Sequence, residues 1–235
     1  MTLTVATYNV HRCVGLDGRK DPERTLSVLR DLDADVLALQ ELEWGHEEAL
    51  DRLERFGEAL DYRAVGGPTL LRPDGHYGNA ILSRLPIEET QRIDLTIPGR
   101  EPRGMLAVTV PAATERWRIV ATHLGLGARE RRQQVRRLLE VIGTSPEPTI
   151  LLGDFNEWLP LSRALRWIRG RFEATPALPT YPSRLPLLPL DRIWIRPHGY
   201  LITLDRDTRR RTRVASDHLP LRARVRRPHP ESDAP

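Results

Sequence analysis

The sequence has little cysteine, few aromatic residues and no long apolar run. Its 235 residues include one cysteine, Cys13, and 6% aromatic residues. A lone cysteine excludes an internal disulfide framework and a cysteine-rich zinc site, and it fits a reducing compartment. No apolar run approaches the roughly 18 residues of a membrane span, and residues 1–10 lack the features of a signal peptide. These absences predict a soluble, cytoplasmic protein.

Positive and negative residues are nearly equal in number, and almost all of the positive residues are arginine. Lys and Arg total 36 against 32 Asp and Glu, and Lys20 is the only lysine. With 40% hydrophobic residues, the composition is globular and excludes intrinsic disorder for most of the chain. Arginine suits bidentate contact with phosphate, which points to anionic partners. A GC-rich genome would also favour arginine codons, so the charge alone identifies no partner.

The order of apolar and polar segments predicts one α/β domain. Strands are expected at residues 2–10, 35–40, 79–82, 105–110, 117–123, 149–152, 192–195 and 219–225. Helices are expected from Pro22, after an Asp21 cap, and at residues 46–60, 129–141 and 161–168. Several strands follow one another directly, which indicates mixed sheets. We expect one domain over residues 1–227 and a disordered, proline-rich tail over residues 228–235.

The polar residues that could carry chemistry lie where predicted strands stop. They are Asn9, Glu41 after Gln40, His123, Asp154 with Asn156, and Asp217 with His218. Open α/β sheets build their sites from such strand ends. Each residue alone has an ordinary explanation as a turn former, helix cap or hydrogen-bonded core side chain. Asp154 and Asn156 form the strongest pair, because residues i and i+2 of extended chain point the same way and Gly153 permits close backbone approach.

The ligand chemistry of this set favours a hard metal ion. It offers carboxylate and amide oxygens and imidazoles, with no cysteine and no His-x-x-x-His pair. Such ligands disfavour a zinc cage and favour Mg²⁺, with Mn²⁺ as a substitute, held by one or two carboxylates together with water and substrate phosphate.

Six short motifs occur in one order along the chain. They are Thr7-Tyr8-Asn9, Leu39-Gln40-Glu41, Thr122-His123-Leu124, Gly153-Asp154-Phe155-Asn156, Leu190-Asp191-Arg192-Ile193 and Ser216-Asp217-His218. Over about residues 3–226 the sequence resembles the endonuclease/exonuclease/phosphatase superfamily, and six motifs in order are specific. The resemblance implies a four-layer α/β sandwich, in which helices flank two packed mixed β-sheets. It implies no substrate, because one fold supports many functions.

The resemblance also implies roles for the motif residues in hydrolysis of a phosphoester by in-line attack of water. Glu41 is the expected main metal ligand, with Asn9 beside it and Asp217 touching the metal or its waters. The cation neutralises charge on the phosphate and on the leaving oxygen. Asp154 orients and deprotonates the attacking water, and Asn156 donates to a phosphate oxygen.

The remaining implied roles belong to two histidines and their neighbours. His218 lies against the phosphate, and Asp191 holds its ring in one tautomer and favours the imidazolium. His123 is either a second phosphate contact or the acid for the leaving group. Asn79 and Arg103 lie in stretches typical of the family and are expected to bind substrate.

The sequence narrows the substrate only in part. His123 stands where abasic-site endonucleases usually have a tyrosine, which disfavours abasic-site repair. Arginines within residues 129–137 and 209–213 favour a phosphodiesterase or nuclease of low sequence specificity, although exposed helical arginine is commonly just solvated. The apolar loop at residues 185–190 either packs in the ordinary way or forms a lip that touches a lipid or a base. A phospholipid or small-metabolite phosphodiesterase or phosphatase is therefore the alternative.

Two further hypotheses concern what the domain binds. A catalytically silent domain that only binds a phosphorylated ligand is disfavoured, because all six motifs are intact. Arginines could also draw the domain to an anionic membrane surface, which is an open alternative but not the favoured one. The sequence indicates no obligate protein partner.

Overall fold

The fold consists of two β-sheets and the helices that cover them. The computed structural model describes residues 2–45, 51–72, 75–112, 115–143 and 147–227. Within these ranges the chain forms eleven strands, which are β1 (Leu3–Asn9), β2 (Val36–Trp44), β3 (Arg63–Arg72), β4 (Gly75–Ser83), β5 (Glu89–Asp94), β6 (Gly104–Ala112), β7 (Glu115–His123), β8 (Thr149–Asp154), β9 (Asp191–Arg196), β10 (Leu201–Arg206) and β11 (Leu221–Val225).

The helices lie between the strands along the chain. The described ranges contain α1 (Pro22–Leu32), α2 (Arg52–Leu60), α3 (Ala128–Ile142), α4 (Arg163–Arg169) and α5 (Thr212–Ala215), with a short 3₁₀ turn at His11–Cys13. None of the described helices is long and apolar enough to cross a bilayer.

The two sheets are both mixed. One has six strands in the order β10-β11-β1-β2-β4-β3, and the other has five in the order β5-β6-β7-β8-β9. Each contains one parallel pair, β1 with β2 and β7 with β8, and every other pairing is antiparallel. A core cluster that includes Val36 and Ala38 of β2 and Ile119 of β7 fills the space between the sheets. The expected four-layer sandwich of mixed sheets and flanking helices is confirmed.

Alternation along β2 shows how the sequence builds these layers. Successive side chains of a strand point to opposite faces of its sheet. Val36 and Ala38 face the other sheet, whereas Leu37 and Leu39 pack in a second cluster with the helices α1 and α2. A third cluster joins α3 and α4 to the outer face of the five-stranded sheet. Central strands such as β1, β2 and β8 are buried on both faces, so their sequences are rich in apolar residues on both sides of the alternation.

The first helix begins where the sequence predicts. Asp21 is its N-cap, and the Asp21 side chain accepts a hydrogen bond of 2.9 Å from the backbone N–H of Arg24. Pro22 occupies the first turn, where its missing N–H costs nothing. Such a cap contributes about 1 kcal/mol to stability.

Three strands escape the sequence pattern, and two predictions fall partly outside the described residues. β5 and β10 are edge strands with mostly exposed or half-buried side chains, so they lack a clear apolar alternation. β3 contains Gly66, Gly67 and Pro68, which weaken any strand prediction. The predicted helix at 46–60 is observed from Arg52, because Asp51 is its N-cap, and residues 46–50 lie outside the described ranges. The predicted tail at 228–235 lies outside them as well.

Candidate active site

Asp154 lies at the point where the two sheets meet. It ends β8 and is almost completely buried, and its Oδ2 accepts a hydrogen bond of 3.1 Å from Asn9 Nδ2 at the end of β1. The preceding Gly153 has a φ of 143°, and a Cβ there would lie 1.9 Å from the carbonyl oxygen of Thr122. Glycine is therefore required for β8 to approach β7, as the sequence predicts.

A kink in β2 presents Glu41 to the same point. The sequence predicts that this strand stops at Gln40, but β2 continues to Trp44, so the predicted end is wrong. The pairing of β2 with β4 is irregular between Leu39 and Leu42, and Glu41 has a φ of 56°. A bulge of this kind redirects a side chain within a strand. It brings Glu41 Oε1 to 3.0 Å from Asn9 Nδ2, so one amide nitrogen donates to both Glu41 and Asp154.

Asn156 reaches the site through a turn. The sequence places Asp154 and Asn156 on the same side of extended chain, but β8 ends at Asp154 and Asn156 has a φ of 49°. The predicted extended pair is therefore wrong in its backbone, although both side chains reach one pocket. The turn closes because the backbone N–H of Asn156 donates to Asp154 Oδ1 at 2.9 Å. Asparagine tolerates this left-handed conformation better than most residues.

His218 and Asp191 form a buried pair beside Asp154. His218 Nδ1 lies 2.8 Å from Asp191 Oδ2, and His218 Nε2 lies 3.7 Å from Asp154 Oδ2. Burial lowers the pKa of His218, but the carboxylates of Asp191, Asp154 and Asp217 outweigh it and raise the pKa from 6.5 to about 10. His218 is therefore an imidazolium at neutral pH, and its Nε2–H faces the pocket.

His123 has the opposite character. Burial lowers its pKa from 6.5 to about 3; Asp154 opposes this, while Arg103 and His218 add to the lowering. Arg103 Nη1 lies 3.1 Å from His123 Nδ1, and a second guanidinium nitrogen donates to Glu101 at 2.9 Å. His123 is therefore neutral at physiological pH.

The hydrogen bonds of His123 leave the pocket with a surplus of donors. Asn156 Nδ2 lies 3.1 Å from His123 Nε2 and donates to the carbonyl of Leu124 at 2.8 Å. A neutral imidazole accepts at only one nitrogen, and a guanidinium only donates. Arg103 on Nδ1 therefore selects the Nε2–H tautomer, which sets two donors, from His123 and Asn156, against each other. An anionic oxygen placed between them would accept from both.

We expect the two histidines to titrate at opposite ends of the pH scale. The ¹⁵N resonances of His218 should report an imidazolium that loses its proton near pH 10, because carboxylates surround it. Those of His123 should report a neutral Nε2–H ring from alkaline pH down to about pH 4, since its pKa is about 3. The measurement is a long-range ¹H–¹⁵N correlation spectrum across a pH series. A neutral His218 at pH 7, or a His123 that titrates near 6.5, would contradict this assignment.

Two of the predicted site residues stand apart from this network. Asp217 is 29% exposed in its side chain, and its Oδ1 lies 3.8 Å from His11 Nδ1. Asn79 is buried, and its Nδ2 donates at 3.0 Å to the carbonyl of Gly104 on the other sheet. The amide nitrogen expected for substrate binding is thus used within the chain. Gln40 is also committed, because its Oε1 accepts from Thr7 Oγ1 at 3.1 Å.

Carboxylates on both sides of the pocket make it suited to a cation. Ligand atoms of Asp154, Asp191 and His218 lie within 4.8 Å of one another, a spacing that a metal ion could bridge. His218, however, is paired to Asp191 and protonated, and an imidazolium repels a cation. Asp154 has the imidazolium of His218 at 3.7 Å, whereas Glu41 accepts from the neutral amide of Asn9, so the charge of Glu41 is the less compensated of the two. A divalent cation beside Glu41 would supply that compensation.

Three residues of the site carried no predicted role. Tyr181 packs its ring 5.0 Å from the ring of His218. Ser216 Oγ donates to the carbonyl of Asn9 at 2.8 Å and accepts from the backbone N–H of His218 at 3.2 Å. Thr180 Oγ1 accepts from the backbone N–H of Asp191 at 3.3 Å. Ser216 lies inside a recognised motif, whereas nothing in the sequence near Tyr181 signals contact with a histidine more than thirty residues away.

Comparison with known proteins supports one family. The model of the endonuclease/exonuclease/phosphatase family matches residues 6–218. The uncharacterized protein YbhP of Escherichia coli K12 is 32% identical over 243 aligned residues, which cover 94% of this chain and 95% of YbhP.

Solved structures share the fold at lower sequence identity. A crystal structure of an endonuclease/exonuclease/phosphatase protein from Beutenbergia cavernae superposes with a TM-score of 0.80 at 24% identity, over 96% of this chain and 71% of that one. The human Nocturnin catalytic domain, solved with a bound sulfate anion, superposes with a TM-score of 0.71 at 20% identity, over 96% and 93% of the two chains. At these identities the likeness concerns the fold.

Proposed function

Because the chain belongs to the endonuclease/exonuclease/phosphatase family, whose members hydrolyse phosphoesters, we propose that it is a divalent-metal-dependent phosphodiesterase. Water attacks phosphorus in line with the ester oxygen that leaves. The family alone does not establish activity in this chain, so the proposal depends on the site.

The observation that carries the proposal is the position of the Asp154 carboxylate between the amide N–H group of Asn9 and the imidazolium of His218. On one side Asn9 links the Asp154 carboxylate to Glu41, and on the other the imidazolium of His218 lies 3.7 Å away. A carboxylate in this position can act as a general base. Its orientation is fixed, because both of its oxygens accept hydrogen bonds.

Asp154 is the proposed general base. It takes a proton from water as the water oxygen forms its bond to phosphorus and the bond from phosphorus to the leaving oxygen breaks. The leaving oxygen then takes up a proton from solvent. Asp154 is held by Asn9 and by the backbone N–H of Asn156, so it does not need to reorient during the step.

Three donors are proposed to bind the phosphate. His218 offers a charged Nε2–H, and Asn156 and His123 offer the two N–H groups that face one another at 3.1 Å. Phosphate oxygens accept from all three, and the charge that builds in the transition state strengthens these bonds. The low pKa of His123, about 3, favours its role as a phosphate contact over its role as the leaving-group acid.

Glu41 would hold the divalent cation. Of the further predicted ligands, Asn9 turns its amide nitrogen toward Glu41 and its Oδ1 toward the backbone N–H of His11 at 3.0 Å, and Asp217 lies outside the network. The Glu41 carboxylate is 21% exposed, which leaves it open to the pocket, and the donor set of hard oxygens fits Mg²⁺ or Mn²⁺. The bound cation neutralises charge on the phosphate and on the leaving oxygen.

The few cations of the pocket favour a diester over a monoester. The cationic groups in the described site are the imidazolium of His218, which is paired with Asp191, and the guanidinium of Arg103, which is paired with Glu101. A diester carries one negative charge, and a monoester carries about 1.5 to 2 at neutral pH. The smaller charge is easier to balance there.

Four of the arginines that favour nucleic acid in the sequence are paired with carboxylates of the chain. Arg131 is buried against Glu157 at 3.2 Å, and Arg137 lies 3.8 Å from Glu140. On the other arginine segment, Arg209 and Arg211 both lie near Asp31, at 3.4 and 3.3 Å. Arginines paired within the chain are less available to a phosphate backbone.

A hydrolysis panel tests the proposal. The purified protein is offered plasmid DNA, single-stranded DNA, RNA, anionic phospholipid, and an aryl phosphodiester beside its monoester. With Mg²⁺ we expect hydrolysis of the diester over the monoester and of at least one biological substrate. EDTA should stop the reaction, because the cation balances the phosphate charge, and Mg²⁺ or Mn²⁺ should restore it.

Two outcomes would overturn the proposal. One is no hydrolysis of any diester with any divalent cation, which leaves a domain that binds phosphorylated ligands without acting on them. The other is hydrolysis that persists in EDTA or returns only with Zn²⁺, since hard oxygen ligands would then not be the metal site.

A further inference from the structure

Exposed apolar side chains are concentrated on the loops that adjoin residues of the proposed active site. Six of the ten large apolar side chains exposed in the described part of the chain lie on three loops. We call these six the apolar rim, which consists of Leu126, Trp158, Leu159, Leu161, Leu185 and Leu187. Two of its members are very open, with Leu161 82% exposed and Leu126 74% exposed. Scattered single leucines on a surface are ordinary, whereas a cluster beside a site indicates contact with something.

The three loops are fixed to the catalytic strands. Leu126 follows His123 at the end of β7, and Trp158 follows Asn156 after β8. Arg131 ties these two loops together, because its Nε lies 3.2 Å from Glu157 and its Nη1 donates to the carbonyls of residues 125 and 126. The rim on this side is therefore held by a buried ion pair.

The third loop is tied to the part of the pocket that contains His218. Its turn is closed by a hydrogen bond of 2.9 Å from the backbone N–H of Leu187 to the carbonyl of Tyr181. The ring of Tyr181 packs on His218, and the backbone N–H of Ser183 donates at 2.7 Å to the carbonyl of Asp217. Leu185 and Leu187 thus lie on a loop that is tied to His218 and Asp217, whereas Leu126 and Trp158 follow His123 and Asn156.

Cationic side chains alternate with the rim. Arg129 lies in the first turn of α3 just after Leu126, Arg163 begins α4 just after Leu161, and Arg184 precedes Leu185. All three are exposed, and none pairs with a carboxylate in the described ranges. Leucine and tryptophan beside unpaired arginine is the composition of surfaces that lie in the interface of an anionic bilayer.

We propose that the apolar rim seats the protein on an anionic phospholipid bilayer, with the pocket opening onto the head groups. Leucines enter the boundary of the acyl region, and the three arginines contact lipid phosphates beside them. This inference rests on the proposed phosphodiesterase activity and narrows its substrate to a phosphodiester of a lipid head group.

The composition of the rim favours lipid over nucleic acid. Single strands bind to aromatic side chains on which bases stack. Trp158 is the one aromatic member of the rim, and the other five are leucines, which offer apolar area but no flat face. Burial of apolar surface in a bilayer makes binding more favourable, whereas contact of the same surface with a hydrated phosphate backbone contributes little to binding.

Vesicle co-sedimentation tests the inference. The probes are vesicles of phosphatidylcholine alone and of phosphatidylcholine mixed with phosphatidylglycerol. We expect wild type to sediment with the mixed vesicles and its affinity to fall at least about tenfold in L161S/L185S, because two leucines no longer enter the bilayer. The matched control is I202S, which changes a 43% exposed apolar residue at the far end of β10, beside the end of β11 that lies away from the pocket.

Comparing a soluble substrate with a lipid substrate distinguishes the role of the apolar rim from the role of the active site. L161S/L185S should hydrolyse the aryl phosphodiester at the wild-type rate and lose activity on phospholipid vesicles. Vesicle binding without aryl phosphodiester hydrolysis would sink the proposed function and leave the rim standing. Wild type that ignores mixed vesicles, or L161S/L185S that binds them as wild type does, would overturn the rim. Single-stranded DNA binding that W158A abolishes would assign the rim to bases instead.

Discussion

Replacing Asp154 with asparagine is expected to lower kcat by about 10³-fold, the range lost with a positioned general base. The Asp154 carboxylate is almost fully buried and is oriented by Asn9 at 3.1 Å and by the backbone of Asn156 at 2.9 Å. An amide of the same shape keeps the packing but cannot take a proton from water. The measurement is the Mg²⁺-dependent rate on the aryl phosphodiester at saturating substrate.

The control for Asp154→Asn is Asp205→Asn, which changes an exposed carboxylate on the edge strand β10. It should leave kcat unchanged. Thermal unfolding should show that D154N stays folded. The substitution removes one of the two negative charges that accept from the same amide of Asn9, so it also removes their mutual repulsion. Near-normal turnover in a folded D154N would remove Asp154 from the chemistry and with it the proposed mechanism.

The layers of the fold could be predicted from the sequence, because buried strands and helices leave a strong pattern of apolar residues. Strands such as β8, all six residues of which are buried, read as continuous apolar runs. The amphipathic α1 reads as a helix with an Asp21 cap. Edge strands leave little pattern, and for that reason β5 and β10 escaped prediction.

The motifs located most of the pocket but not its geometry. Predicted residues such as Asn9, His123 and Asp191 do meet in one network, because the ends of strands from both sheets converge there. The bulge at Glu41 and the left-handed turn at Asn156 depend on pairing with other strands, and no local pattern reports them.

Charge states are a property of the assembled pocket. Two histidines with the same ordinary pKa of 6.5 come to about 3 and about 10. Burial dominates at His123, where Arg103 adds to the lowering, whereas carboxylates outweigh burial at His218. Arg103, the partner of His123, lies twenty residues away along the chain, directly before β6, which pairs with the strand of His123. A sequence motif names such a histidine but cannot give its charge.

Replacing Asp191 with asparagine is expected to lower kcat by about 10²-fold through His218 alone, in the range typical of residues that orient a site ligand. Asp191 Oδ2 lies 2.8 Å from His218 Nδ1 and is the first of the carboxylates that raise the pKa of His218 to about 10. Without that charge, His218 should lose its proton at lower pH. The alkaline limb of the pH profile of kcat should then shift toward neutral pH.

The shape of this loss distinguishes a positioning residue from a structural one. If Asp191 acts through His218, then D191N/H218A should be no slower than H218A, whose loss we expect to be about 10³-fold. Losses that multiply in the double variant would mean that Asp191 acts on something else.

The same charge pair makes a prediction about stability with a defined sign. The folded-state pKa of His218 lies above 6.5, so the stabilisation it brings is complete below pH 6.5 and is lost as pH rises toward about 10. D191N should therefore flatten the decline of the unfolding temperature over that interval. A decline as steep as that of wild type would show that the charge on Asp191 does not hold the proton on His218, and the proposed imidazolium would then need another source.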